Sequence, residues 1–445
     1  MDAMDSDIRF DYDNYMFALK GTETIRAKGS VVQLVGLVIE ALLQGVRIGE
    51  LCYIRSQDKK RVYPTEVVGF KARRVLLMPL ADIQGIGAGC EVIASGKLVS
   101  VKVGPKLLGR VVDGLGNAMD GKGPIIAEKE YPLDNNPPNP IRRARITNIM
   151  PVGVRAIDAF LTYGEGQRMG LFAGSGVGKS TLLGMIARNA KADINVVCLV
   201  GERGREVNEF MEDAMGEEGM KRSVVVVATG DASSLLRAKA PMTATAIAEY
   251  FRDQGKRVFL MMDSLTRFAM AQREVGLAIG EPPSTKGYTP SVFATMPKLL
   301  ERTGMSDKGS ITALYSVLVE GGDMEDPIAD LVRGVIDGHI VMDRKIAQQN
   351  VYPAIDILAS VSRLITQLVP RDQYEAQSDV RNMMAKYREV QDMLMLGAYV
   401  RGSNQEFDRA IAMNPQIKEF CAQRIQEKVT YEEAIKTVRY LAGRE

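Results

Sequence analysis

The stretch Ala173-Gly174-Ser175-Gly176-Val177-Gly178-Lys179-Ser180-Thr181 follows an apolar run, Met169 to Phe172, and precedes a helix-compatible segment, Leu182 to Ala190. A glycine-rich loop between a buried strand and a helix turns its backbone N–H groups inward, and the positive end of the helix faces the same point. That geometry suits phosphate. Gly174, Ser175, Gly176, Val177 and Gly178 are expected to cradle the phosphate oxygens, with Thr181 closing the loop. Lys179 reaches the β- and γ-phosphates, and the Ser180 hydroxyl is available to Mg²⁺. The chain is therefore expected to bind ATP or a related nucleoside triphosphate. The first glycine of the general GxxxxGK[ST] pattern is Ala173 here, so the backbone at that position is expected to be one that a Cβ tolerates.

A length of 445 residues corresponds to two to four domains, and 46% hydrophobic composition supplies their cores. Lys+Arg 57 against Asp+Glu 55 leaves a net charge of +2, which gives no overall field to attract nucleic acid or an anionic membrane. The four cysteines, Cys52, Cys90, Cys198 and Cys421, are widely spaced, and His339 is the single histidine. Zinc and disulfide frameworks are not expected, and a reducing compartment suits the chain. A Ser-His-Asp or Cys-His triad would have to use His339, which reads as structural. No apolar run approaches the roughly 20 residues of a membrane span, and the N-terminus has five aspartates instead of a basic start. A soluble, cytoplasmic protein is expected.

The fold class expected is multidomain α/β. Residues 1–25 place Ile8, Tyr12, Tyr15, Met16 and Leu19 at helical spacing among aspartates, which suits either an acidic partner-binding helix or a terminus resting on the next domain. Residues 26–95 contain short β-rich runs (31–39, 50–55, 66–70, 74–79 and 90–94) between turn residues, the pattern of a small β-barrel. Residues 96–369 form the nucleotide-binding domain. Its apolar runs at 169–172, 194–200, 224–228, 258–262 and 311–318 read as parallel strands covered by helices. In 370–445 the β signal disappears, and Val380, Met383, Met384, Tyr387 and Val390 recur at helical spacing, so a helical bundle is expected.

Val258 to Met262 is a buried run ending in Asp263, which is expected to hold Mg²⁺ through water. A second run, Ile194 to Val200, enters Gly201-Glu202-Arg203-Gly204-Arg205-Glu206 at the strand end where α/β sheets bind ligands. Hydrolysis needs a group that polarises water and cations that take up charge on the phosphoryl oxygens. Glu202 and Arg203 fit these roles; an exposed Glu/Arg salt-bridge network fits the same residues. The acidic run Asp323, Glu325 and Asp326 is left without a role.

Together the phosphate loop, Gly201 to Glu206, Leu260 to Asp263, Tyr352-Pro353-Ala354-Ile355-Asp356 and Ser360 to Arg363 resemble the catalytic subunits of rotary ATPases. Leu107 to Gly116 is similar to the segment entering that family's nucleotide domain. Met169 to Gly176, with its Ala173, Asp263 to Glu274 and Gly280 to Tyr288 resemble the type III export ATPases. Gly397 to Asn404 is similar to the flagellar branch. The resemblance implies a RecA/F1-like central domain and a homohexamer with each nucleotide between two subunits. Tyr352 would pack on adenine, and Arg363 would act from the neighbouring subunit as an arginine finger. Glutamate at 202 implies hydrolysis, because non-catalytic subunits carry glutamine there. The implied partners are a regulatory protein at the N-terminus, a central-stalk protein, export chaperones and export-gate components. The implied location is the inner face of the cell membrane, held peripherally, with no nucleic acid bound. A hexameric nucleic-acid translocase and the catalytic subunit of an ion-translocating rotary ATPase share this core and stand as alternatives.

Overall fold

The computed structural model describes residues 26–444, so the helical spacing of Ile8 to Leu19 lies outside the described residues. The chain divides between Val99 and Ser100 into two compact units.

In the first unit β1 (Lys28–Val35), β2 (Val38–Leu42), β3 (Glu50–Arg55), β4 (Val62–Lys71), β5 (Arg74–Pro79) and β6 (Glu91–Leu98) close a barrel in the order β1-β2-β5-β4-β3-β6. Strand β3 shows why the sequence does this. Its residues alternate between buried and half-buried, which turns Cys52 and Ile54 inward to meet Ile39, Leu77 and Val92. Closure leaves no open edge to pair with another chain. The apolar run at 31–39 is not one strand. The chain reverses at Gly36 and Leu37, with Gly36 at φ 59°, and Val35 pairs with Val38. Hydrophobicity continues through the turn, so composition alone hides a two-residue hairpin.

The second unit opens with β7 (Ser100–Val103), β8 (Val111–Asp113) and β9 (Lys129–Pro132), of which β7 and β9 form a ribbon and β8 joins the main sheet. The remaining strands are β10 (Arg168–Ala173), β11 (Ile194–Val200), β12 (Ser223–Ala228), β13 (Arg257–Asp263), β14 (Gly304–Met305), β15 (Ser310–Leu318), β16 (Gly338–Met342) and β17 (Ile355–Ser362). The sheet runs β17-β16-β10-β15-β13-β11-β12-β8, with β14 paired to β15. From β16 to β8 all neighbours are parallel, whereas the edge strand β17 is antiparallel to β16. Every residue of β11 and β12 is buried, because helices cover both faces.

Those helices include α1 (Arg155–Phe160), α2 (Lys179–Asn189), α3 (Gly204–Glu209), α4 (Ser234–Arg252), α5 (Leu265–Ile279), α6 (Pro290–Glu301) and α7 (Pro327–Val335). The last part of the chain folds into α8 (Arg371–Met395), α9 (Gln405–Cys421) and α10 (Tyr431–Ala442). On α8, Val380, Met383 and Val390 are buried and Met384 and Tyr387 are half-buried, the face read from their spacing. Phe420 of α9 meets Phe160 of α1 edge-on at 5.9 Å, which merges the helical region into the core of the sheet domain.

Register decides what meets at the sheet's carboxyl edge. Ala173 pairs with Leu318, Leu199 with Asp263, and Met262 with Tyr315. The phosphate loop, the Gly201–Glu202 turn, Asp263 and the Val319–Glu320 turn therefore emerge side by side.

Candidate functional site

Strand β10 ends at Ala173, which is buried and carries no positive φ, so its Cβ is accommodated as expected. The positive φ angles fall later, at Gly176 (77°) and Gly178 (89°), and α2 starts at Lys179. These two glycines let the loop fold back over its own helix without the strain a Cβ would add there. The loop floors a cavity of about 500 Å³ whose walls include Glu202, Arg203, Arg267, Val319 and Glu320.

Within it, Lys179 Nζ forms an ion pair with Asp263 Oδ1 and lies 3.9 Å from Glu202 Oε1. The same Asp263 oxygen accepts a hydrogen bond from Ser316 Oγ at 2.6 Å. Arg267 Nε lies 3.4 Å from Glu202. Burial raises the Glu202 carboxyl to about 7, helped by the negative charge of Asp263 and by Glu206, and opposed by Lys179 and Arg267. A carboxyl brought near neutrality accepts a proton from water more readily than an ordinary one.

The residues present fit a magnesium nucleotide. Lys179, Arg267 and the loop's N–H groups face the space that a polyphosphate needs, and Ser180 and Thr181 are exposed to it. Among the described residues no group of three or more His, Cys, Asp or Glu side chains could cage a metal. Ser180 and Asp263 would thus share Mg²⁺ with phosphate oxygens and water, as is usual for this ion.

Arg203 lines the cavity with an exposed side chain, 3.6 Å from Glu206, so the exposed Glu/Arg pairing and the pocket-facing reading apply to one residue. Tyr352, before cis-Pro353, is half-exposed, and a Cβ on Gly178 would lie 3.5 Å from its ring, so the ring stands against the end of the loop. The Tyr352 carbonyl accepts from Gln423 N at 2.8 Å, which ties it to the helical region. Arg363 is elsewhere. Met342 pairs with Ile355 at the carboxyl edge and Gly338 with Ser362 at the opposite edge, so β17 carries the chain about 13 Å across the sheet, four steps of β16 at about 3.3 Å each, with the extra residues of β17 taken up in a bulge. There the exposed Arg363 gives Nη2 to the Arg333 carbonyl at 3.2 Å.

Arg267 and Ser316 escaped the sequence reading. Arg267 sits one helical turn beyond Asp263, a spacing that places it over the same strand end, whereas Ser316 is brought in only by the neighbouring strand. His339 is structural: its Nε2 lies 3.2 Å from the Ala359 carbonyl, its ring meets Phe172 edge-on, and burial lowers its pKa. Asp326 caps α7 through Ile328 N and Ala329 N. Asp323 and Asp326 pair with Lys286 at 3.3 and 3.5 Å, which fastens the loop at 281–288.

Residues 31–107 match the β-barrel domain of the ATP synthase alpha/beta family, and residues 153–362 match that family's nucleotide-binding domain. Residues 369–439 match the T3SS EscN ATPase C-terminal domain. The chain is 50% identical over 427 residues to a flagellum-specific ATP synthase of Bacillus subtilis, covering 95% of this chain and 97% of that one. It is likewise 50% identical over 410 residues to a type 3 secretion system ATPase of Xanthomonas euvesicatoria, covering 92% and 93%. The assembled ATPase EscN of enteropathogenic E. coli superposes with a TM-score of 0.88 at 43% identity, over 93% of this chain and all of that one. A second EscN structure, in complex with its central stalk EscO, gives 0.86. Equal identity to flagellar and secretion relatives assigns the shared family, not one branch.

Proposed function

Because the chain belongs to the ATP synthase alpha/beta family, among its flagellar and type III secretion ATPases, we propose that it hydrolyses ATP as a homohexameric ring that energises protein export. Lys179 and the N–H groups of Gly174 to Gly178 hold the β- and γ-phosphates. Glu202, as carboxylate, orients the attacking water and accepts its proton. Arg203 and Arg267 take up negative charge on the transferred group, and Tyr352 stacks on the adenine. Mg²⁺ held by Ser180 and Asp263 neutralises phosphate charge when bound. Arg363 serves the neighbouring subunit.

The observation that carries this reading is the placement of Lys179 and Arg363 at opposite ends of one sheet. One chain then owns most of a catalytic site and the missing cation of another. By the relationship to the EscN–EscO complex, a central-stalk protein is the expected axial partner. A regulatory protein at the N-terminus, export chaperones and export-gate components complete the proposed set. No helix among the described residues is long and apolar enough to cross a membrane, which suits a peripheral position at the inner face of the cell membrane.

The test is ATP turnover against protein concentration, with and without RNA. Turnover that rises cooperatively and ignores RNA supports the ring ATPase. Concentration-independent turnover would remove the shared site, RNA stimulation would favour a nucleic-acid translocase, and dependence on a non-catalytic homologue would favour an ion-translocating ATPase.

A further inference from the structure

A second cavity, of about 260 Å³, opens between the end of β17 and the first half of α8. Its floor is Gln377, which is 1% exposed, and neither its Nε2 nor its Oε1 meets a protein hydrogen-bond partner. Buried amides are normally paired, so both atoms point to something the protein does not supply. Beside it, half-buried Arg381 gives Nη2 to the Ser360 carbonyl at 3.2 Å; the charge of Asp356 reaches it, but that carboxylate is paired with Arg388 at 2.9 Å and forms no ion pair with Arg381. Partly buried guanidinium groups are normally paired as well. The walls include Phe160, Tyr374 and Ser362, whose hydroxyl is already held by Gln167 and the Thr162 carbonyl.

We propose that this pocket binds a small aromatic carboxylate. A carboxylate neutralises Arg381 and accepts from the Gln377 amide, while a flat ring suits the walls of Phe160 and Tyr374. A dianionic phosphate is a poorer fit because Arg381 is the one cation lining the pocket. Ser362 directly precedes Arg363, so the occupant touches the segment that presents the proposed finger.

Calorimetric titration of the full chain with benzoate, and with benzamide as its neutral counterpart, tests the proposal. Saturable one-to-one binding of benzoate is expected, at least tenfold tighter than benzamide. Arg381→Met should weaken it at least tenfold, Arg381→Lys should restore part of it, and Gln377→Leu should weaken it several-fold, with circular dichroism unchanged in each. Equal affinity for the two probes, or an unaltered isotherm in Arg381→Met, would mean an adventitious additive only. No saturable heat would assign the Gln377 amide to water and overturn the site. Loss of self-association in Arg381→Met without benzoate binding to the wild type would also overturn it, by assigning the pocket to a carboxylate of a neighbouring copy. Saturating benzoate should further change kcat at least twofold. That expectation rests on the finger reading of Arg363, whereas the isotherm does not, and an unchanged kcat with normal binding would sever the pocket from Arg363.

Discussion

Tyr352 and Arg363 flank the two ends of a single edge strand, β17, one against the phosphate loop and the other at the far edge of the sheet. Two groups proposed for one reaction are thus held at opposite edges of the sheet within each chain. In the proposed ring they meet across a boundary between copies.

Glu202→Gln and Arg363→Ala should each lower kcat by about 10³ or more, the scale of an arginine finger in phosphoryl transfer. Mixed in equal amounts, the two inactive variants should regain a measurable fraction of wild-type turnover, because some boundaries then pair an intact Glu202 with an intact Arg363. A mixture as inactive as its parts would count against the shared site.

The raised Glu202 carboxyl sets an acid limb. The group works as carboxylate and is protonated below its pKa, so kcat/KM should fall as pH drops through about 7, well above the ordinary carboxylate range. Glu206→Gln removes one of the groups that raise it and should move the limb to lower pH. A pH–rate profile of the two proteins decides this, and coincident limbs would reject the assignment.

Ser316→Ala should destabilise the protein by about 2 kcal/mol, since the Ser316 hydroxyl donates to the buried Asp263 carboxylate and hydrogen bonds to charged groups are worth about 1.5 to 3 kcal/mol. Denaturant unfolding measures it. Because Asp263 is proposed to hold Mg²⁺, half-maximal turnover in the variant should also need more of the ion. Unchanged stability and unchanged Mg²⁺ dependence would show that the hydroxyl positions nothing.

A buried ion pair carries the opposite flank of the sheet domain. Arg302 donates to both oxygens of Glu249 at 2.9 and 2.8 Å and to the Leu133 carbonyl at 2.6 Å, and both side chains are almost fully buried. Arg302→Leu should cost about 3 to 5 kcal/mol by leaving Glu249 charged and unpaired, and Glu249→Leu added to it should recover part of that loss. A double variant no more stable than the single one would contradict the pairing argument.

Parallel strands were legible wherever burial on both faces produced an unbroken apolar run, as in Ile194 to Val200 and Val258 to Met262. Strand β17 was not, because it buries the polar Asp356, Ser360 and Ser362 and leaves Ala359 and Val361 exposed, the reverse of the usual pattern, and its register is broken by a bulge. The hairpin at Gly36 is hidden for a different reason, since its turn sits inside a hydrophobic stretch. Within the site, Lys179, Glu202 and Asp263 were legible because each ends or follows a strong local signal. Ser316 carries no such signal; only pairing between β13 and β15 brings it to Asp263.

The chemistry on offer is written in short stretches of the chain: a loop able to bind phosphate, an acid at one strand end, a glutamate after another, and a family in which such parts hydrolyse ATP. These are local properties, set by glycine's freedom and by runs of a few residues. Which parts converge and which are kept apart is set by how the strands pair. Sheet register carries Ser316 to the carboxyl edge and sends Arg363 to the other, because strand direction and pairing are fixed by burial across the whole sheet and not by any one segment.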